Sequence, residues 1–159
     1  LKKFGDVPSN VHFVAIDFEK DMIFDALKRS NYDLNSPAFF SWLGTTHYLT
    51  PNATLATLEN IAKHAKPNSE ITLDYSTHYS ELQGIERLGT FAVGQFTRFL
   101  SEPLIGSFQI KHLHDSVHNM GFIVAEDLSG NEITERYFSH RNDGIKHTKA
   151  TRLLRLILR

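Results

Sequence analysis

The sequence predicts an α/β fold, a parallel sheet with helices on both faces. Short apolar runs recur at "VHFVAIDF" (11–18), "SPAFFSWLG" (36–44) and "ITLDYS" (71–76). Stretches of helical periodicity separate them. The 159 residues are 41% hydrophobic, enough for one domain with a real core. Strands covered on both faces lose the in–out alternation, and the helices between them act as crossovers.

Each element follows from its local pattern. Residues 11–18 are β-branched and aromatic, with Asp17 near the end, and read as a buried strand. In "KDMIFDALKRSNYD", Met22, Ile23, Ala26 and Leu27 stand at helical spacing. The run 36–44 reads as a second buried strand with Pro37 at its entrance, where a missing N–H is tolerable. Thr50 then caps a helix whose first residue is Pro51, with Leu55, Leu58, Ile61, Ala62 and Ala65 as its apolar stripe. "KPNSE" ends that helix, and 71–76 is a third strand.

The second half departs from this rhythm. "ELQGIERLGTFAVGQFTRFL" (81–100) has a helical pattern weakened by Gly84, Gly89 and Gly94, where the helix is expected to bend or pack closely. "SEPLIGSF" reads as a turn and a short extended piece. "QIKHLHDSVHNMG" reads as a helix closed by Gly121, "FIVAEDLS" (122–129) as a strand and "GNEITERYF" as a short helix. "TRLLRLILR" fits a strand or a helix, with Arg152, Arg155 and Arg159 reaching outward.

Composition excludes several chemistries. Seventeen basic and 18 acidic residues leave a net charge of −1, which gives no electrostatic case for nucleic acid or an anionic membrane. No apolar run is long enough for a membrane span. Zero cysteines exclude a disulfide framework, a thiolate zinc site and a thiol nucleophile. That fits a reducing compartment, and a cytoplasmic location is expected. His114 and His118 share a helix face at i, i+4, but no HExxH pattern or spaced carboxylate completes a metal site. No GxSxG elbow supports a hydrolase.

In parallel sheets, ligands bind beyond the C-terminal ends of the strands. Asp17 and Phe18, Leu43 to Thr46, and Asp74 to Ser76 fall there. An acid at a strand end can accept from a sugar hydroxyl or an adenine amino group, and an aromatic can cover a base. Asp17–Phe18 fits that pattern, as it fits a solvated loop acid beside a core ring. "WLGTTHY" has a glycine for close backbone approach and hydroxyl or ring donors from Thr45 to Tyr48. An ordinary strand-to-helix loop has the same composition.

The segments "VHFVAIDFE", "SPAFFSWLGTTHYLTPNATLATLENIAKHAKPNSEITLDY", "SEPLIGSF", "MGFIVAEDLS" and "ERYFSHRNDGI", in this order, resemble one family. They are similar to the C-terminal portion of S-adenosylmethionine-dependent class I methyltransferases of the leucine carboxyl methyltransferase-like group, in its bacterial branch. The resemblance implies a Rossmann-like sheet and S-adenosylmethionine as cofactor. It implies O-methylation of a small molecule or a carboxylate. Asp17 and Phe18 would meet the adenine; Trp42, Leu43, Gly44 and Thr45 would lie along the methionine part. Tyr48 would face the methyl-transfer centre.

The resemblance starts downstream of the family's Gly-rich turn and ribose-binding acid. The family's sheet places those first two strands between the 11–18 strand and the 36–44 strand. With Leu1 in place of Met, the expectation is that residues 1–159 are the C-terminal part of a single methyltransferase domain, with two strands missing. Unpaired strand edges would then favour self-association. Two other readings stay open: an inactive methyltransferase-fold remnant or interaction module, and another nucleotide-binding α/β enzyme.

Overall fold

A computed structural model describes residues 7–99 and 103–159. Leu100, Ser101 and Glu102, which end the 81–100 pattern and open "SEPLIGSF", lie outside them. In chain order the elements are α1 (Ile23–Leu27), β1 (Phe39–Trp42), α2 (Pro51–His64), β2 (Glu70–Ser76), α3 (Gly84–Phe99), α4 (Ile110–Asn119), β3 (Phe122–Leu128), α5 (Gly130–Phe138) and β4 (Thr151–Leu158). Among the described residues no helix is long and apolar enough to cross a membrane.

The four strands form one sheet in the order β1-β2-β4-β3. β1 and β2 are parallel, while β4 runs antiparallel to both β2 and β3. The fold is thus α/β, but its sheet is mixed. "TRLLRLILR" resolves as a strand, paired with β2 on one side and β3 on the other; Leu154, Leu156 and Leu158 are buried there.

Register separates the two faces. Phe40 and Trp42, Ile71, Leu73 and Tyr75, Leu154 and Leu156, and Phe122 share one face, which α2 and α4 cover with Leu58, Ile61, Leu113 and Val117. The opposite face carries Phe39, Glu70, Asp74, Arg155 and Glu126, and α5 packs there near β3, with Arg136 paired to Glu126 at 3.1 Å. Ser129 and Glu132 fix the start of α5 through a reciprocal capping box.

Several expectations need correction. Residues 11–18 are not a strand: they form no ladder, and Phe13 is 73% exposed. Strand geometry needs a hydrogen-bonding partner, and none of the described residues supplies one. The second strand is four residues long, shortened by Pro37 at one end and by Gly44 at φ +70 at the other. α1 is a five-residue turn that buries Phe24 and Ala26 and leaves Met22 exposed. α2 follows the prediction, with the Thr50 hydroxyl accepting the Ala53 N–H, but its buried face also includes Thr54 and Thr57. Gly89 and Gly94 face open space, so nothing packs closely on α3 there. Arg152 turns inward instead of outward: its guanidinium meets Asp127.

Candidate functional site

The loop after β1 is fastened to the end of β2 by one acid. Asp74 Oδ1 accepts the Gly44 N–H at 2.8 Å, and the Asp74 carbonyl accepts the Thr46 hydroxyl at 2.5 Å. His47 Nε2 lies 3.4 Å from Asp74 Oδ2, and His47 Nδ1 lies 2.7 Å from Ser76 Oγ. Burial alone would raise the Asp74 pKa, but the hydrogen bonds from His47 and Gly44 outweigh it and hold the carboxyl below its usual range. The loop's outer side is held as well, since Ile105 and Gly106 donate their N–H groups to the His47 carbonyl.

Gly44 is required by conformation. Its φ of +70 is in the left-handed region, and a Cβ placed there would meet nothing within 4 Å. The turn therefore presents bare backbone to open space. Leu43 and Tyr48 are both about half exposed beside it, at 52% and 51%. Thr45 spends its hydroxyl on the Leu43 carbonyl at 3.3 Å.

Phe18 reaches the same region through a capping contact. Glu19 accepts both the N–H and the hydroxyl of Thr50, at 2.7 and 3.1 Å, which ties residues 17–20 to the start of α2. The Phe18 ring then lies 5.3 Å from the Trp42 ring. The two rings help line a cavity of about 240 Å³ with Ile23, Phe40 and Ile61. Trp42 Nε1 is buried and has no hydrogen-bond partner among the described residues. Such a donor costs about 1–3 kcal/mol unless something accepts from it.

Asp17 is placed differently from its neighbour. Its carboxylate accepts the Glu19 N–H at 3.1 Å and the Lys20 ammonium at 2.7 Å, and the Lys20 contact first of all keeps its pKa low. It is ionised and exposed, with each oxygen already holding one partner.

The structure thus brings Phe18, Trp42 and Gly44 to one end of the sheet and adds Asp74, His47, Thr46 and Ser76 to them. Sequence reasoning had located residues 74–76 at a strand end without giving them a role. The signal was weak: an acid two residues before the end of a strand becomes a clamp only when the neighbouring loop folds onto it.

A second polar cluster lies under α4. Asp127, whose side chain is 6% exposed, accepts from Tyr75 Oη at 2.8 Å, His114 Nε2 at 2.7 Å and Arg152 Nε at 2.9 Å. Burial and the Asp127 charge push the Tyr75 phenol well above its usual range. His114 is therefore held by a carboxylate, while His118 is exposed on the same helix. Among the described residues no group of three or more His, Cys, Asp or Glu is arranged to hold a metal ion.

Residues 1–62 match the Leucine carboxyl methyltransferase family. The resemblance read from the sequence holds. The chain is 27% identical over 144 residues to YktD of Bacillus subtilis (strain 168), whose name assigns it provisionally to the S-adenosyl-L-methionine-dependent methyltransferases. That alignment takes in 87% of this chain and 45% of YktD. A DUF574 family protein from Streptomyces avermitilis superposes with a TM-score of 0.60 at 14% identity, over 86% of this chain and 50% of its own. The methyltransferase CalO6 superposes with a TM-score of 0.50 at 8% identity, over 76% and 35%. At such identities the structural likeness shows the fold alone, a Rossmann-like sheet. The chain spans about half the length of the relatives it matches, or less.

Proposed function

We propose that this chain builds part of an S-adenosylmethionine-dependent O-methyltransferase that acts on a small molecule or a carboxylate. The observation that carries the reading is the Gly44 turn at the end of β1, held open by Asp74 beside the Phe18–Trp42 pair. The match of residues 1–62 to the leucine carboxyl methyltransferases and the similarity to YktD support the same cofactor. The residues fit it: a buried indole N–H lacks an acceptor, and the glycine backbone faces open space.

In this reading Phe18 covers the adenine and Asp17 accepts from its amino group. Trp42, Leu43, Gly44 and Thr45 line the methionine end, and Tyr48 positions the acceptor. Bound S-adenosylmethionine supplies a methyl group on a sulfonium, already a strong electrophile. The protein's task is then to orient the acceptor oxygen and exclude water. A carboxylate acceptor needs no base; a hydroxyl acceptor gains from one.

Two further parts belong to this reading. A cytoplasmic setting is supported by the cysteine-free composition. Self-association through β1 is supported by its place at the end of the strand order, with Phe39 63% exposed on it. Sedimentation of a Ser41→Pro variant tests the latter: a dimer of the parent chain should become a monomer, and a monomeric parent chain rejects it.

Calorimetric titration of S-adenosylhomocysteine into the protein at its natural length tests the whole reading. Micromolar binding is expected, weakened about tenfold in Asp17→Ala, the loss of one or two hydrogen bonds. A folded protein that binds none would overturn it.

A further inference from the structure

A second cavity, of about 340 Å³, opens between the first turns of α2 and α4. Leu55 and Phe108 give it an apolar floor, and Asn52, His78, Gln109 and His112 supply polar groups around it. Phe108 is held in place from two sides. Its N–H donates to the Ser76 carbonyl, and its carbonyl accepts the His78 N–H. Its ring meets the Tyr75 ring edge-on at 6.2 Å. The cavity is therefore built on the end of β2, the strand that carries Asp74.

The lining chemistry selects a ligand class. Among the described residues, none that lines it is Lys, Arg, Asp or Glu. Of the charged residues close by in sequence, Glu81 accepts the Ile110 N–H at 3.2 Å and Lys111 pairs with Asp115 at 2.6 Å. A carboxylate or phosphate placed here would exchange its water for two helix N-termini but no Lys or Arg, and an ammonium would gain no anion. Neutral groups fare better. The Asn52 and Gln109 amides and the His112 ring make no side-chain hydrogen bond to another described residue, while His78 commits only Nδ1, to Ser80. They can donate to or accept from a hydroxyl. The volume is at the small end of ligand pockets, enough for one or two fused rings.

We infer that this cavity binds a neutral phenolic molecule, its ring on Leu55 and Phe108 and its hydroxyl among Asn52, Gln109 and the two histidines. The inference rests on the methyltransferase reading only in naming this molecule as the methyl acceptor. It narrows the acceptor from any oxygen nucleophile to an uncharged hydroxyl, for which a neighbouring imidazole is a suitable proton acceptor.

The test compares 2-naphthol with 2-naphthoate at pH 7, by saturation-transfer NMR and calorimetry on the protein at its natural length. Naphthol should bind about tenfold or more tightly than naphthoate, since only the carboxylate is left without a counter-charge. Gln109→Trp and Leu55→Trp should each abolish naphthol binding by filling the cavity; Gln109 is exposed, so that variant keeps the fold. Equal or tighter naphthoate binding, no naphthol binding, or naphthol binding that survives Gln109→Trp would overturn the inference. S-adenosylhomocysteine titrated into the same samples separates the two claims. Cofactor binding without naphthol binding rejects the cavity alone, and the reverse rejects the methyltransferase reading alone.

Discussion

Asp74 and Gly44 are 30 residues apart in sequence and joined by a 2.8 Å hydrogen bond from backbone N–H to carboxylate. This contact ties the loop after β1 to the end of the neighbouring parallel strand β2. It fixes a left-handed turn that β1 alone would not hold, and it places His47 against Ser76.

Asp74→Ala should therefore loosen the loop before it harms the core. Asp74 is partly solvent-exposed, so the expected loss is about 1 kcal/mol, less than the full value of a charge-assisted bond because solvent screens it. The folded pKa is depressed. The stabilisation is thus present above the unfolded value near 3.8 and disappears as pH falls through the folded one. Urea melts across pH 2 to 7 should show this acid-side slope, and the slope should shrink in Asp74→Ala.

Asp127→Ala should cost more. It would leave the Arg152 guanidinium, 18% exposed, without its carboxylate and Tyr75 Oη without its acceptor. About 3–5 kcal/mol is expected by urea denaturation. The double variant Asp127→Leu, Arg152→Met should recover the part due to the stranded guanidinium, while Tyr75 Oη still lacks its acceptor. A double variant as unstable as the single one would contradict this account.

Three glycines separate by their surroundings. A Cβ on Gly106 would run into the Thr46 carbonyl oxygen and lie 2.6 Å from that of Leu49, so Gly106→Ala must push the 103–108 segment off the site loop. Gly89 and Gly94 of α3 have open space, and alanine there should add about 1 kcal/mol of stability each. Thermal melts should therefore move in opposite directions, down for Gly106→Ala and up for the other two.

Trp42→Phe should split stability from binding. It removes the unpartnered Nε1–H, a relief of about 1–3 kcal/mol that offsets the lost ring volume. Denaturation should stay within about 1 kcal/mol of the parent. S-adenosylhomocysteine affinity should fall about tenfold. Unchanged affinity would remove Trp42 Nε1 from the cofactor site.

Much of this was legible beforehand where the cause is local. Thr50–Pro51 set the start of α2 because capping chemistry acts within one turn. Gly121, at φ +99, follows the last turn of α4 for a similar reason. Residues 11–18 show the opposite case. Their composition is that of a strand, but a strand exists only with a partner, and composition cannot report whether one is there. "TRLLRLILR" was ambiguous for the same reason until β2 and β3 were found on either side of it.

The sequence by itself determined the α/β class, the termini of α2, α4 and α5, the glycine turn after β1 and the family resemblance. These depend on periodicity, caps and residue types within a few positions of one another. Only the tertiary structure decided that Asp74 clamps Gly44, that Arg152 and His114 converge on Asp127, and that Phe108 floors a cavity with no Lys, Arg, Asp or Glu among its described lining residues. Those contacts join residues 13 to 30 positions apart, or bring three segments together. A side chain's partner at that range is set by register and packing, which no local pattern encodes.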